Sequence, residues 1–210
     1  KKTCFSETHS LASDFEMQQQ TMLTDALKNS AGVHLVQTGA LGKTAQLYVR
    51  GANPEHVLVL IDGFRAHDPS SPNGAFDFGQ LESESLEKVD ILKGPQTASF
   101  GGDAISGVVD LHTKSGSGQT QGNFSAEFGS FQSYRQSISF QGEKTFGDYY
   151  LQASHRQIDN PSSVPYKNRT LARQHHPEPY DAENFVSHCR LNAAQSWKLS
   201  LHNRHQRSRS

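Results

Sequence analysis

Few places in this sequence could do chemistry. The run KGPQTASFGG, Lys93 to Gly102, sets a basic residue beside a glycine-rich turn, the composition of a phosphate cradle. It lacks the GxxxxGK[ST] order, and no acidic metal residue is suitably placed. His175 and His176 are adjacent, whereas metal pairs use i, i+4 or paired-turn spacing. Asp159, Glu178, Asp181 and Glu183 are the hard oxygen donors that calcium takes, in a segment that also reads as a charged surface loop. The 11 histidines are dispersed, with no Ser/His/Asp or HExxH arrangement. The sequence therefore reads as a non-enzyme with no cofactor and no resident metal.

Composition narrows the remaining classes. Only 34% of the 210 residues are hydrophobic, low for one greasy core but normal for strands with one wet face. The formal net charge of -1 gives no global basic field for nucleic acid. No apolar run reaches the ~20 residues of a membrane helix, so any membrane contact would be made through strands. Cys4 and Cys189 form neither a disulfide framework nor a CxxC site. The start KKTCFSETHS carries no signal-peptide core, which suggests a processed product or a piece.

These residues must be positioned by two kinds of element. Residues 1–20 read as an N-terminal segment. Residues 21–115 read as a compact α+β domain. In it MLTDALKNSAG is a short helix with Thr21 as N-cap and Gly32 as its stop. VHLVQ, AQLYVR, VLVLI, KVDIL and GVVDLH are strands, punctuated by Asn53-Pro54 and Asp62-Gly63. Pro95 suits the first position of a helical turn running to about Ser99.

From 119 to 210 the pattern becomes five longer strands of period two. Phe124, Ala126 and Phe128 alternate with Asn123, Ser125 and Glu127. Tyr134, Ile138 and Phe140 oppose Arg135, Ser137 and Ser139. The segments YYLQASHR, FVSHCRLNA and WKLSLHN continue the alternation, with a long loop from Asp159 to Asn184 and a solvated basic end, RHQRSRS. A meander with one apolar face, one polar face and unequal loops is the signature of an outer-membrane barrel wall. A soluble antiparallel sandwich shares the alternation.

The blocks DALKNSAGV, YVRG, HVLVLIDGFRAHDP and then KVDILKGP with FGGDAISGVV occur in order over residues 25–109. Together they closely resemble the plug domain of TonB-dependent outer-membrane receptors. HVLVLIDG and EFGSFQSYR look most like the vitamin B12 (cobalamin) receptor branch, although siderophore receptors share much of the pattern. Departures are Phe100 where the family usually has Tyr, Ser106 where it has Gly, and Lys93 where Arg is common. No TonB box is recognisable at the N-terminus. The resemblance implies an α+β plug domain followed by antiparallel β-strands of an incomplete transmembrane β-barrel, since such receptors resemble barrels of roughly 22 strands. An open sheet cannot stand alone in lipid with unpaired edges, so the chain is expected to be a truncated piece.

By the same resemblance, the partners would be the TonB energising protein, outer-membrane lipid and a small-molecule nutrient such as cobalamin or a ferric siderophore, in the outer membrane of a Gram-negative bacterium. Cargo contacts would come from the loops Thr38 to Thr44 and Arg65 to Phe76, with Thr38, Lys43, Arg65, His67, Asp68 and Asn73 as candidates. Arg50 and Lys93 would face barrel carboxylates. The alternatives are a soluble periplasmic plug-like binding module, capturing a partner by β-augmentation, and a non-functional truncated gene product.

Overall fold

The computed structural model describes residues 6–18, 20–69, 71–160, 178–194 and 197–209. They form two compact units, one of Lys1–Thr38 with Lys43–Thr113, the other of Gly39–Gly42 with Lys114–Ser210.

The first unit runs β1 (Ser6–Leu11), α1 (Ala12–Met17), α2 (Leu23–Lys28), β2 (Val33–Gln37), β3 (Ala45–Val49), a 3-10 turn (Pro54–His56), β4 (Val57–Ile61), β5 (Phe64–Ala66), β6 (Leu86–Lys93), α3 (Thr97–Phe100) and β7 (Gly107–Thr113). One sheet has the order β1-β6-β7-β4-β5, and β2 with β3 forms a separate hairpin. β4 and β7 are parallel, while the other neighbours in that sheet are antiparallel. Four of the five residues in VLVLI are buried, because both faces of the sheet are covered. Val57, Val59, Val89, Ile91, Val109 and Leu111 pack with Leu23 and Leu27 of α2 and Leu47 of the hairpin. On the other face Leu58, Leu60 and Val108 meet Ala104 and Phe100.

Local details differ from the sequence expectation where tertiary partners take over. The cap position of α2 is Met22, not Thr21, and carries no side-chain cap. Instead the N–H of Leu23 donates to the carbonyl of Leu81 at 2.9 Å, which satisfies an orphan donor without a capping hydroxyl. The helical turn after Pro95 begins only at Thr97, because the N–H of Gln96 is bonded to Ala104 across the loop at 2.8 Å. β1, α1 and β5 were not expected as elements: SETHSL has no clean apolar alternation, and its pairing is set by β6. The Asp62-Gly63 turn behaves as read, with φ of 51° and 83° joining β4 to β5, as a type I′ hairpin requires.

The second unit is an unclosed five-stranded meander in the order β12-β11-β10-β9-β8. Its strands are β8 (Gln121–Gly129), β9 (Ser133–Lys144), β10 (Gly147–Asn160), β11 (Glu178–Ala194) and β12 (Trp197–Arg209). Cross-strand register places Phe124, Ile138, Ala153, Phe185 and His205 in one row. The adjoining row on the other face is Ser125, Ser137, Ser154, Asn184 and Gln206. The apolar face is the open one: Phe124, Phe128, Phe140, Leu199 and Leu201 are exposed, while Ser137, Gln152, Ser154, Asn184 and His188 are buried. A sandwich in water has the opposite arrangement, and a barrel wall facing lipid has this one.

Two loop expectations are corrected here. Residues 204–209 of the basic end are strand, because β12 continues to Arg209, which pairs with Asp181, while His205, Arg207 and Arg209 stay exposed. The expected loop Asp159 to Asn184 is shorter at both ends, since β10 reaches Asn160 and β11 starts at Glu178. Residues 204–209 are polar on both faces, and the start of β11 offers only Tyr180 and Ala182 as apolar positions, too short a pattern for periodicity to reveal. Tyr166, His175 and His176 lie outside the described residues.

Candidate functional site

The loop from Thr38 to Thr44 is closed by its own ends. Thr38 donates both its N–H and its hydroxyl to the carbonyl of Thr44, at 2.9 and 3.1 Å. Beside it, the Asp77 carboxylate accepts the N–H groups of Ala45 and Gly79, each at 2.8 Å. Gly79 lies so close to the Lys43 carbonyl that an added Cβ would meet it at 2.1 Å. Lys43 itself is half-buried. Gly42, with φ of 83°, belongs to the second unit and leaves no room for a side chain against the Tyr180 ring.

The second candidate loop is bonded within itself and to distant parts of the same unit. Arg65 spans from β5 to the turn after α3, donating to Asp103 and to the Phe100 carbonyl, each at 2.5 Å. Asn73 donates to Glu55 at 3.1 Å and accepts from Ser71 and from the N–H of Ala75, at 2.6 and 3.2 Å. The Glu55 carboxyl is held below its usual range, first by a backbone N–H of its own residue and then by Asn53 and Asn73. His67 is exposed, and the Asp68 carbonyl closes a turn with the N–H of Ser71 at 3.2 Å. The six candidates therefore fall in three patches: Thr38 with Lys43, Arg65 with His67 and Asp68, and Asn73 against Glu55. Such loops present polar tips held by bonds within the loop and to neighbouring elements, which suits ligand capture on a rigid support.

Lys93 and Arg50 are neighbours. Lys93 is 4% exposed, and its ammonium donates to the Thr8 hydroxyl at 2.6 Å and to the Ala31 carbonyl. Burial pushes its pKa down, and the Arg50 charge lowers it further. Arg50 is exposed, sits at φ 52° and lays its guanidinium over Gly94. In this unit Lys93 thus tethers β1 and the α2–β2 turn to β6.

Sequence reasoning missed a charged cluster on the same sheet. Asp90 accepts from His9 and Lys88, each at 2.6 Å, with His112 at 3.3 Å. His112 also lies 3.5 Å from Asp110. Burial raises the Asp90 pKa, but the His9 and Lys88 hydrogen bonds outweigh it and hold the carboxyl low. Burial raises that of Asp110, with Asp90 and Asp62 adding to it against His112. The signal was the alternation of charges in KVDIL and VVDLH. Among the described residues no group of three His, Cys, Asp or Glu side chains could hold a metal ion. Of the calcium candidates, Asp181 is engaged by His155 at 3.1 Å.

An α+β domain followed by a lipid-facing open meander defines the class of protein: a plugged outer-membrane barrel, represented here by the plug and the first part of the wall. The sequence matches the TonB-dependent Receptor Plug Domain family over residues 3–108, half of the chain, and the chain belongs to that family. Solved structures agree on the fold. The siderophore receptor PirA from Acinetobacter baumannii matches with TM-score 0.73 and 20% identity, over 96% of this chain and 31% of that one. A mutant of the ferric enterobactin receptor PfeA from Pseudomonas aeruginosa, in complex with enterobactin, matches with TM-score 0.72 and 20% identity, over 99% and 34%. The ferripyoverdine receptor of the Pseudomonas aeruginosa outer membrane, bound to ferripyoverdine, matches with TM-score 0.75 and 13% identity, over 98% and 25%. The chain thus spans a third or less of PirA and of the ferripyoverdine receptor, and about a third of PfeA. The family consists of transport receptors, not enzymes, and its membership places the chain in the outer membrane of a Gram-negative bacterium.

Proposed function

We propose that this chain is the plug and leading wall of a receptor that captures a scarce metal-chelate nutrient outside the cell and admits it when TonB pulls on the plug. The observation that carries the reading is the inverted second sheet, apolar outward and polar inward, directly after a family plug. Arg65, His67, Asp68 and Asn73 supply the polar loop that would meet the cargo, with Thr38 and Lys43 on a second loop. Exposed Arg50 would face barrel carboxylates in the closed receptor, whereas buried Lys93 holds β1 and the α2–β2 turn to β6 instead.

Two cargo classes fit this reading. The similar structures carry siderophore names, which favours a ferric siderophore; the HVLVLIDG and EFGSFQSYR blocks favour cobalamin. The test is uptake by cells producing the intact protein, given labelled cyanocobalamin or a panel of ferric siderophores, with and without a working TonB. Saturable uptake of one class that stops without TonB is expected. Uptake of neither, with the protein present in the outer membrane, overturns the proposal. A soluble periplasmic module would instead remain monomeric without detergent, which the exposed Phe124, Phe128 and Leu199 oppose.

A further inference from the structure

The loop Thr38 to Thr44 is secured at its base by its own bonds. Thr38 donates twice to the Thr44 carbonyl, and the next residue, Ala45, donates its N–H to the Asp77 carboxylate. These contacts fix where the loop leaves and rejoins the chain, but not where its tip points. The intervening GALGK carries two glycines, whose backbones are free to take many directions. A contact beyond the base must therefore select one of them.

Tyr180 supplies that contact. It stands on β11 opposite Ile158, and its side chain is completely buried. A Cβ added at Gly42 would fall 2.1 Å from its Cδ2, 2.3 Å from its Cε2 and 3.0 Å from its Cγ. One side of the ring thus lies directly on the Gly42 backbone, which has the left-handed φ of 83°. Contact and conformation both demand glycine there. The chain divides at this point: Gly39–Gly42 groups with the second unit, whereas Thr38 and Lys43 group with the first. Adjacent residues answer to different supports, Gly42 to the Tyr180 ring and the Lys43 carbonyl to Gly79.

We infer that Tyr180 is a positioning residue for cargo capture, holding the tip of this loop in the conformation that presents Thr38 and Lys43. The inference rests on the receptor reading above and adds a residue that touches no cargo itself. The Lys43 ammonium has three donors for acceptor oxygens of a metal chelate, and they are useful only if the loop beneath them is fixed. A loop ordered in advance binds without an ordering cost at the moment of capture. The benefit belongs to capture and not to the step driven by TonB, so it governs half-saturation and leaves the maximum rate of uptake alone. It depends on a flat ring, which Phe also provides.

The test uses the intact protein and two readouts. The first is hydrogen exchange of peptides spanning residues 38–44, in detergent and without cargo. The second is the concentration dependence of uptake, with labelled cyanocobalamin or the ferric siderophore that the native protein takes up. Tyr180→Ala should speed exchange of the loop at least tenfold and raise the half-saturating concentration about tenfold, with the maximum rate within twofold of native. Tyr180→Phe should stay within threefold of native in both readouts. Gly42→Ala should match Tyr180→Ala, and the double variant should be no worse than either single one, because the two changes break the same contact. Slow migration of unboiled protein on a detergent gel verifies that each variant is folded. Unchanged loop exchange in folded Tyr180→Ala, additive effects of the two changes, or a lower maximum rate at unchanged half-saturation would each overturn the assignment. No uptake by the native protein would count against the receptor reading, and loop exchange would still decide whether the ring holds the loop.

Discussion

The Asp62 carboxylate accepts both the N–H of Thr113, at 2.8 Å, and its hydroxyl, at 2.7 Å. This clamp locks the ends of the parallel strands β4 and β7, where no direct hairpin can do so. Two hydrogen bonds to an ionised acceptor, together with the left-handed φ of 51°, predict that Asp62→Ala costs about 2–4 kcal/mol. Asp62→Asn keeps the backbone tolerance and an acceptor oxygen, and should cost less than half as much. Urea midpoints of the first unit, read by hydrogen exchange of its buried strand amides, measure both.

Lys93 gives an alkaline signature. Its folded pKa lies below its unfolded value, so the buried charge opposes folding at neutral pH, and that opposition fades as pH rises through the folded value toward about 10.5. Stability of the first unit should therefore gain more between pH 8 and 10 in the native protein than in Lys93→Met. Arg50→Gln should reduce the gain only in part, because burial is the larger cause. Thr8→Val removes one acceptor of the ammonium and should cost about 1.5–3 kcal/mol.

At the acid end Asp90 dominates the attachment of β1. Its depressed pKa stabilises the fold fully above the unfolded value near 4, and the contribution is lost as pH falls through the lower folded value. Asp110, raised, acts oppositely: its charge opposes folding at neutral pH and is relieved on protonation. Pepsin cleavage at Leu11 should accelerate below about pH 4 in the native protein. Asp90→Asn should show rapid cleavage throughout, with little pH dependence.

The wall can be probed one side at a time. Phe140→Arg sets a charge on the exposed apolar face and should cost about 2–4 kcal/mol on folding into lipid vesicles. Gln121→Arg, exposed on the polar face, should change stability by no more than about 0.5 kcal/mol. A sheet made for water would reverse the order, with Phe140→Arg harmless.

What could be read from the sequence followed the strength of local pattern. Val57–Ile61 was visible as a continuous apolar run, Gly107–Thr113 as an apolar run broken by Asp110 and His112, and Phe124–Phe128 with Tyr134–Phe140 as alternation. The Asp62-Gly63 turn announced itself by chemistry. Ser6–Leu11 and Arg204–Arg209 were not visible, because both are polar strands whose existence depends on a distant partner, β6 or β11. The candidate loops were identified by turn composition, but partners outside them, Asp103 for Arg65 and Glu55 for Asn73, lie 38 and 18 residues away. The resemblance makes Lys93 a cation facing barrel carboxylates, since nothing local shows that Thr8 and Ala31 enclose it. Pattern reports how a residue treats its neighbours in sequence; these cases depend on neighbours across the sheet.

Among the described residues β1 pairs with one strand, β6, and that fact has mechanical content. An edge strand paired, among the described residues, with β6 through six registered positions from Ser6↔Lys93 to Leu11↔Lys88 responds to load according to its direction. Tension along its axis shears all six positions together and is resisted strongly; tension across the sheet peels them one by one. The stiff direction runs along the strand, and the compliant one lies in the plane of the sheet, across it. A tether at the Ser6 end would therefore work as a ratchet pawl does, holding against one angle of pull and releasing at another.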